Sequence, residues 1–96
     1  MKEQYLVMYQ NKFMEKEERW INAVWLHSGC KKRYAETIEE AEMYLQMAID
    51  DGVRKATKIQ YQHVANGIGI TTEQNEDMLV TNTKIRKRYV TEWEDV

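Results

Sequence analysis

The sequence predicts an α+β fold: an antiparallel sheet of four to five strands with one main helix packed across one face. Three observations predict it. Apolar residues alternate with polar ones in several short runs, the two-residue period of a half-buried strand. Residues 37–52 have the 3.6-residue period and the end signals of an amphipathic helix. Asn66-Gly67, the preferred pair for a two-residue hairpin turn, separates two of the alternating runs. The element order is β-β-α-β-(β)-β, read as a single domain over residues 1–96.

Residues 4–10, QYLVMYQ, are rich in strand formers, and Tyr5, Val7 and Tyr9 share one face of an extended chain. The polar NKFMEKEER that follows reads as a connection. WINAVWL, residues 20–26, is short and dominated by aromatic and β-branched residues, so it is read as a strand; written as a helix it would align Trp20, Ile21, Val24 and Trp25. HSGCKK reads as a turn. Thr37 then opens the helix as its N-cap, with Glu40 three residues on at capping-box spacing, and Glu39 and Glu40 in the first turn, where the macrodipole favours anions. Gly52 is placed as the C′ stop, and Ile38, Ala41, Leu45, Ala48 and Ile49 as the stripe that packs on the sheet. TKIQYQHVA, residues 57–65, alternates with Ile59, Tyr61 and His63 aligned. IGITT is the returning strand, EQNEDM a polar loop, and LVTNTKIRKRYVTEW a long extended segment. In that segment Ile85, Lys87, Tyr89, Thr91 and Trp93 point one way, and Lys84, Arg86, Arg88 and Val90 the other.

A chain of 96 residues buries about 60–65% of the surface its unfolded form exposes, enough for one core. Hydrophobic residues at 43% can fill that core, and 31% charged residues of mixed sign argue against a disordered chain. Three Trp and six Tyr stand against one Phe; because each carries a polar atom, many of these rings belong at the core boundary or in an interface. A net charge of −2 gives no global pull toward nucleic acid or membrane. The single cysteine, Cys30, permits no internal disulfide and points to a reducing compartment. With no long apolar run for a signal or a membrane span, the expected location is the cytosol.

Little in the chain reads as reaction chemistry. His27 and Cys30 in HSGC would need further ligands to hold zinc, and only His63 remains to help. A Cys-His nucleophile needs an orienting third group, which is not legible. GIG at Gly67–Gly69 has Thr72 where a dinucleotide fingerprint has its third glycine, and no helix is expected after it. Glu39, Glu40 and Glu42 read as a solvated helix face rather than an acid–base pair. No catalytic residue, cofactor or metal is expected.

Two surfaces nevertheless call for a partner. At about 100° per residue, Met43 and Met47 fall opposite the helix's core stripe, beside Glu39, Glu40 and Asp50, in a segment with no Lys or Arg from Tyr34 to Val53. Two methionines at i, i+4 within an acid rim read as an adaptable apolar contact for a partner protein. The other surface is basic. Lys84, Arg86, Lys87 and Arg88, supported by Lys31, Lys32 and Arg33 beside Tyr34, have the cations and rings of a phosphate-binding ridge. Glu92, Glu94 and Asp95 follow at once and acids outnumber bases overall, so a charged strand is the first reading of this run and nucleic-acid binding the second.

KRYAETIEEAEMYL and the terminal KIRKRYVTEWEDV resemble small accessory proteins encoded by bacteriophages and prophages, in which a T-x-EEA helix start follows a strand pair and a basic strand closes on EWE. The resemblance spans most of the chain and rests on fold-level motifs. It implies a non-enzymatic binder of a host protein, a class that includes anti-CRISPR and other anti-defence inhibitors, and it carries over no catalytic residue. The expected function is therefore a protein-binding module acting through Glu39, Glu40, Met43, Met47 and Asp50. A nucleic-acid or nucleotide binder using the basic strand 84–88 is the alternative. The excess of aromatics further predicts a homodimer, joined through the sheet face that a single helix leaves bare or through the Met-bearing helix, with the sheet face as the first reading because two acidic helix faces repel.

Overall fold

The computed structural model describes residues 2–64 and 67–91, with side chains outside 58–64 and 67–74. Strand β1, Lys2–Asn11, buries Tyr5, Val7 and Tyr9 on one face, as its alternation predicts. Asn11 ends the strand and caps a helical turn, α1, Lys12–Lys16, its side chain accepting from the Met14 N–H at 3.0 Å. The polar connection thus contains a short helix.

The strand expected over 20–26 lasts two residues, Ile21–Asn22 (β2), and then becomes helix α2, Ala23–His27. The cause is local. Asn22 caps the turn, accepting from the Trp25 N–H at 3.1 Å. Ala23 and Val24, neighbours in sequence, are both fully buried, which an extended chain with alternating faces does not achieve against a single core.

The main helix, α3, spans Ile38–Ala56. Thr37 is its cap, accepting from the Glu40 N–H at 3.1 Å, while Glu40 Oε2 accepts from the Glu36 N–H at 3.3 Å, one residue before the usual capping-box partner. The helix does not stop at Gly52. Val53 to Ala56 continue it for another turn, with Arg54 and Lys55 opposing the C-terminal dipole and pairing with Asp51. Gly52 instead permits a close approach: a Cβ there would lie 3.0 Å from the Met78 carbonyl oxygen and 3.5 Å from Val80 Cγ2. The buried stripe is Ala41, Tyr44, Ala48, Gly52 and Ala56, with Leu45 and Ile49 half-buried. Small residues bring the helix axis near its neighbours and Tyr44 supplies the bulk; Ile38, on the flank in the first turn, is 39% exposed.

After α3 come β3, Thr57–Val64, and β4, Gly67–Gln74, paired antiparallel with Val64 opposite Gly67. Asn66 of the expected turn and the side chains of Ile59, Tyr61 and His63 lie outside what is described, as do Trp93 and the rest of the terminal EWE. A 3₁₀ turn, Glu76–Met78, leads into β5, Val80–Val90. The sheet has the order β2-β1-β5, all antiparallel, and β3 and β4 form a hairpin of their own. Among the described residues five strands are thus divided three and two, where one sheet of four to five was expected. β3 starts directly from the end of α3, and α3 is the element outside the hairpin that β3 contacts most. The core joins Tyr5, Val7 and Tyr9 to Ala23, Val24, Ala35, Ala41, Tyr44 and Ala48, leaving the other sheet face outside it. No helix among the described residues is long and apolar enough to cross a membrane.

Candidate functional site

The register of β1 against β5 decides where each basic residue faces. Tyr5 pairs with Lys87 and Val7 with Ile85, on the side packed by the core; Gln4 pairs with Arg88, Leu6 with Arg86 and Met8 with Lys84, on the opposite side. Side chains of directly paired residues share a face, so Lys84, Arg86 and Arg88 form one row on the open face, as the alternation predicts. All three are exposed, with Leu6 and Met8 half-buried beneath them. Four residues of strand separate Lys84 from Arg88, about 13 Å.

Each end of the row carries an aromatic ring. Met8 pairs with Asn22 of β2, and Trp20, two residues before Asn22, lies on the same face with Lys84 Nζ 4.4 Å from its ring. At the other end an isolated bridge between Tyr5 and Ala35 brings Tyr34 beside Arg88, whose guanidinium lies 4.5 Å from the ring centre. Arg88 also donates from Nε and Nη2 to Gln4 Oε1, at 3.0 and 2.8 Å. The open-face positions of β1 and β5 (Lys2, Gln4, Leu6, Met8 and Gln10 against Asn82, Lys84, Arg86, Arg88 and Val90) include no carboxylate. Two carboxylates from outside these strands approach the ends of the face: Glu36, whose Oε1 lies 3.4 Å from Lys2 Nζ, and Glu15, accepting from Thr81 and Asn82.

Lys87 belongs to the other side. Its Nζ lies 3.1 Å from Glu3 Oε1 and 4.8 Å from the Tyr89 ring, and the Tyr5 hydroxyl donates to Glu3 Oε2 at 2.7 Å. The Tyr5 hydroxyl and Lys87 hold the Glu3 carboxyl below its ordinary range, and Tyr89 and Glu3 push the Lys87 ammonium up, so both stay charged. The second basic cluster is also dispersed. Lys32 forms an ion pair with Glu40 and sits 5.5 Å from the Tyr44 ring; Arg33 lies 5.1 Å over Trp25; Lys31 is exposed. Of the seven basic residues singled out in the sequence, three share the open face. Trp20 and Tyr34, the rings that complete it, come from segments whose pairing with β1 sequence reasoning did not place, although the even residues of QYLVMYQ marked a second face for something to meet.

On α3, Met43 is 51% exposed and Met47 39%. Glu39, Met43 and Asp50 lie outermost, with Gln46 Nε2 donating to Asp50 Oδ1 at 2.8 Å. Met47 lies toward α2, where it borders a shallow hollow with His27, Asp50, Asp51 and Arg54. Glu40 is engaged by Lys32, which lowers its carboxyl from the usual range. The five residues fall within about 100° of the helix surface, and Asp50 borders the same hollow as Met47. Cys30 is exposed at a φ of 62°, and His27 Nε2 is buried without a hydrogen-bond partner among the described residues. Among the described residues no three His, Cys, Asp or Glu side chains converge as metal ligands would. Compared with protein-family models, curated proteins and solved structures, the chain matches none.

Proposed function

We propose that the protein is a non-enzymatic binder of single-stranded nucleic acid, held on the open face of the β2-β1-β5 sheet. One observation carries the reading: Lys84, Arg86 and Arg88 form an exposed row with a ring at each end and no carboxylate among the strand positions around it. Cations that track a backbone beside aromatic platforms are what single strands require, and a flat sheet face does not enter a duplex groove as a helix or ribbon does. The net charge of −2 does not oppose this, because Glu39, Glu42 and Asp50, which have no ion pair among the described residues, lie on α3, which covers the sheet's other face. Fluorescence anisotropy with a labelled oligothymidylate tests the reading. Three phosphate contacts give a slope of about −2 in log K against log salt. The triple variant Lys84→Gln, Arg86→Gln, Arg88→Gln is expected to lose binding; equal binding by the variant, or none by the wild type at low salt, overturns it.

A second reading is favoured by the exposure of Met43 in an acidic surround. Here the outer side of α3 contacts a protein, and the resemblance to phage accessory proteins suggests a host or defence protein of the cytosol as the one modulated. The two faces are on opposite sides of the molecule, so the readings are separable. Pull-down from a bacterial lysate with wild type and the Met43→Lys/Met47→Lys variant tests the helix; equal recovery of partners removes it from consideration.

A further inference from the structure

Within that open face, the geometry points to a subsite for one unpaired nucleobase and its phosphate at the Tyr34 end, an inference that rests on the nucleic-acid reading of the sheet. Gln4, Leu6, Tyr34, Arg86 and Arg88 line a groove of about 200 Å³ there, together with Lys87, whose ammonium is held on the opposite side of the sheet by Glu3. Its surfaces are unlike those of a plain phosphate site, where donors converge on one point. One wall is an aromatic ring with a guanidinium lying over it, and Leu6 adds aliphatic surface. Unpaired bases stack on both kinds of plane, ring and guanidinium.

Arg88 is held from two directions, by the Tyr34 ring and by its two bonds to Gln4 Oε1. A fixed guanidinium has little conformational freedom left to lose when a base settles on it, and pre-organisation of this kind is a direct gain in affinity. Gln4 spends its carbonyl oxygen on Arg88 and keeps an amide NH₂ with two donors for a base edge. Arg86 is the next residue on the same face, about 7 Å along the strand. It is exposed, with no ion pair among the described residues, and meets the phosphate bidentately.

Anisotropy with four probes of matched charge tests the subsite: oligothymidylate, an abasic strand with the same phosphates, a duplex and a polyglutamate peptide. Oligothymidylate is expected to bind about tenfold tighter than the abasic strand, the scale of one base stacked on a protein platform. Tyr34→Ala is expected to erase that margin and leave abasic binding as it was, while Tyr34→Phe keeps it; circular dichroism verifies that both variants fold. Equal affinity of the wild type for thymidylate and abasic strands overturns the subsite and leaves the phosphate-binding face standing. Loss of binding to both strands removes the face as well. Preference for the duplex, or for polyglutamate, overturns the subsite in favour of a backbone-only or an acidic-protein ligand.

Discussion

Arg86 and Lys87 are adjacent cations on opposite sides of the sheet. Lys87 is engaged by Glu3 and Tyr89, whereas Arg86 stands on the open face. Substituting each by Gln therefore separates surface from frame. Arg86→Gln is expected to weaken oligonucleotide binding several-fold and to flatten the salt slope by about 0.7, one phosphate's share on a single strand. Lys87→Gln is expected to leave both unchanged. A titration at three salt concentrations decides, and equal losses would mean that net charge matters more than placement. Glu40 is the matching test of the frame, since it accepts from the Glu36 N–H and pairs with Lys32. Lys32, ahead of the other contributors, lowers its carboxyl from the ordinary 4.5. A folded-state value below the unfolded one gives stability that is complete above the unfolded value and fades as pH falls through the folded one. Glu40→Gln is thus expected to cost about 0.5–1 kcal/mol at pH 7, and the difference is expected to shrink as pH falls below the ordinary carboxylate range, measured by urea unfolding at neutral and acid pH.

At the scale of elements, α3 shows how one glycine changes meaning with context. In the sequence Gly52 reads as a stop, because glycine tolerates the left-handed conformation that ends helices. In the fold it is buried within the helix, where the backbone of Met78 and Val80 approaches. Gly52→Leu is expected to destabilise by about 1–3 kcal/mol through overpacking, seen as a lower urea midpoint with an unchanged slope. Stability equal to wild type would show that the approach is not what requires glycine. What was legible from sequence follows the same division between local and distant causes. Burial of Tyr5, Val7 and Tyr9, the Thr37 cap and the facing of Lys84, Arg86 and Arg88 depend on periodicity or on a few neighbouring residues, and all were legible. The turn to helix at Asn22 was not, because capping competed with the strand propensity of Trp20, Ile21, Val24 and Trp25 and burial decided it. Of the proposed binding face, the cationic row was readable and Tyr34 was noted beside the second basic cluster, but the place of neither ring in the row was. Trp20 and Tyr34 reach it through the pairing of β2 and the Tyr5–Ala35 bridge, which no local pattern encodes.

For the whole molecule, the bare sheet face bears on self-association. A two-fold dimer through it, the form expected from the aromatic content, sets Lys84, Arg86 and Arg88 against their own copies, so light scattering at low and high salt should show any such dimer favoured by salt. The hairpin raises a separate question. The Cα radius of gyration is 18.8 Å, against about 13 Å for a compact domain of this size, and β3 and β4 stand apart from the sheet. A lone two-stranded hairpin is marginally stable in water, and this one makes its principal contact with the end of α3. Its base is already closed by the Asn75 N–H donating to the Ala56 carbonyl at 2.7 Å. Removing residues 57–74 and linking Ala56 to Asn75 through Gly-Gly therefore asks little of the backbone. A loop this short also adds little closure entropy to the unfolding balance. The thermal midpoint, followed by circular dichroism, is expected to shift by less than about 4–8 °C, the equivalent of 1 kcal/mol for a chain of this size. The radius of gyration measured by X-ray scattering should fall toward the compact value. Oligonucleotide affinity should hold, because Lys84, Arg86 and Arg88 remain on a sheet that the deletion does not touch. A collapse of the melting transition would make the hairpin part of the core's support, and a loss of affinity with the fold intact would make it part of the binding surface.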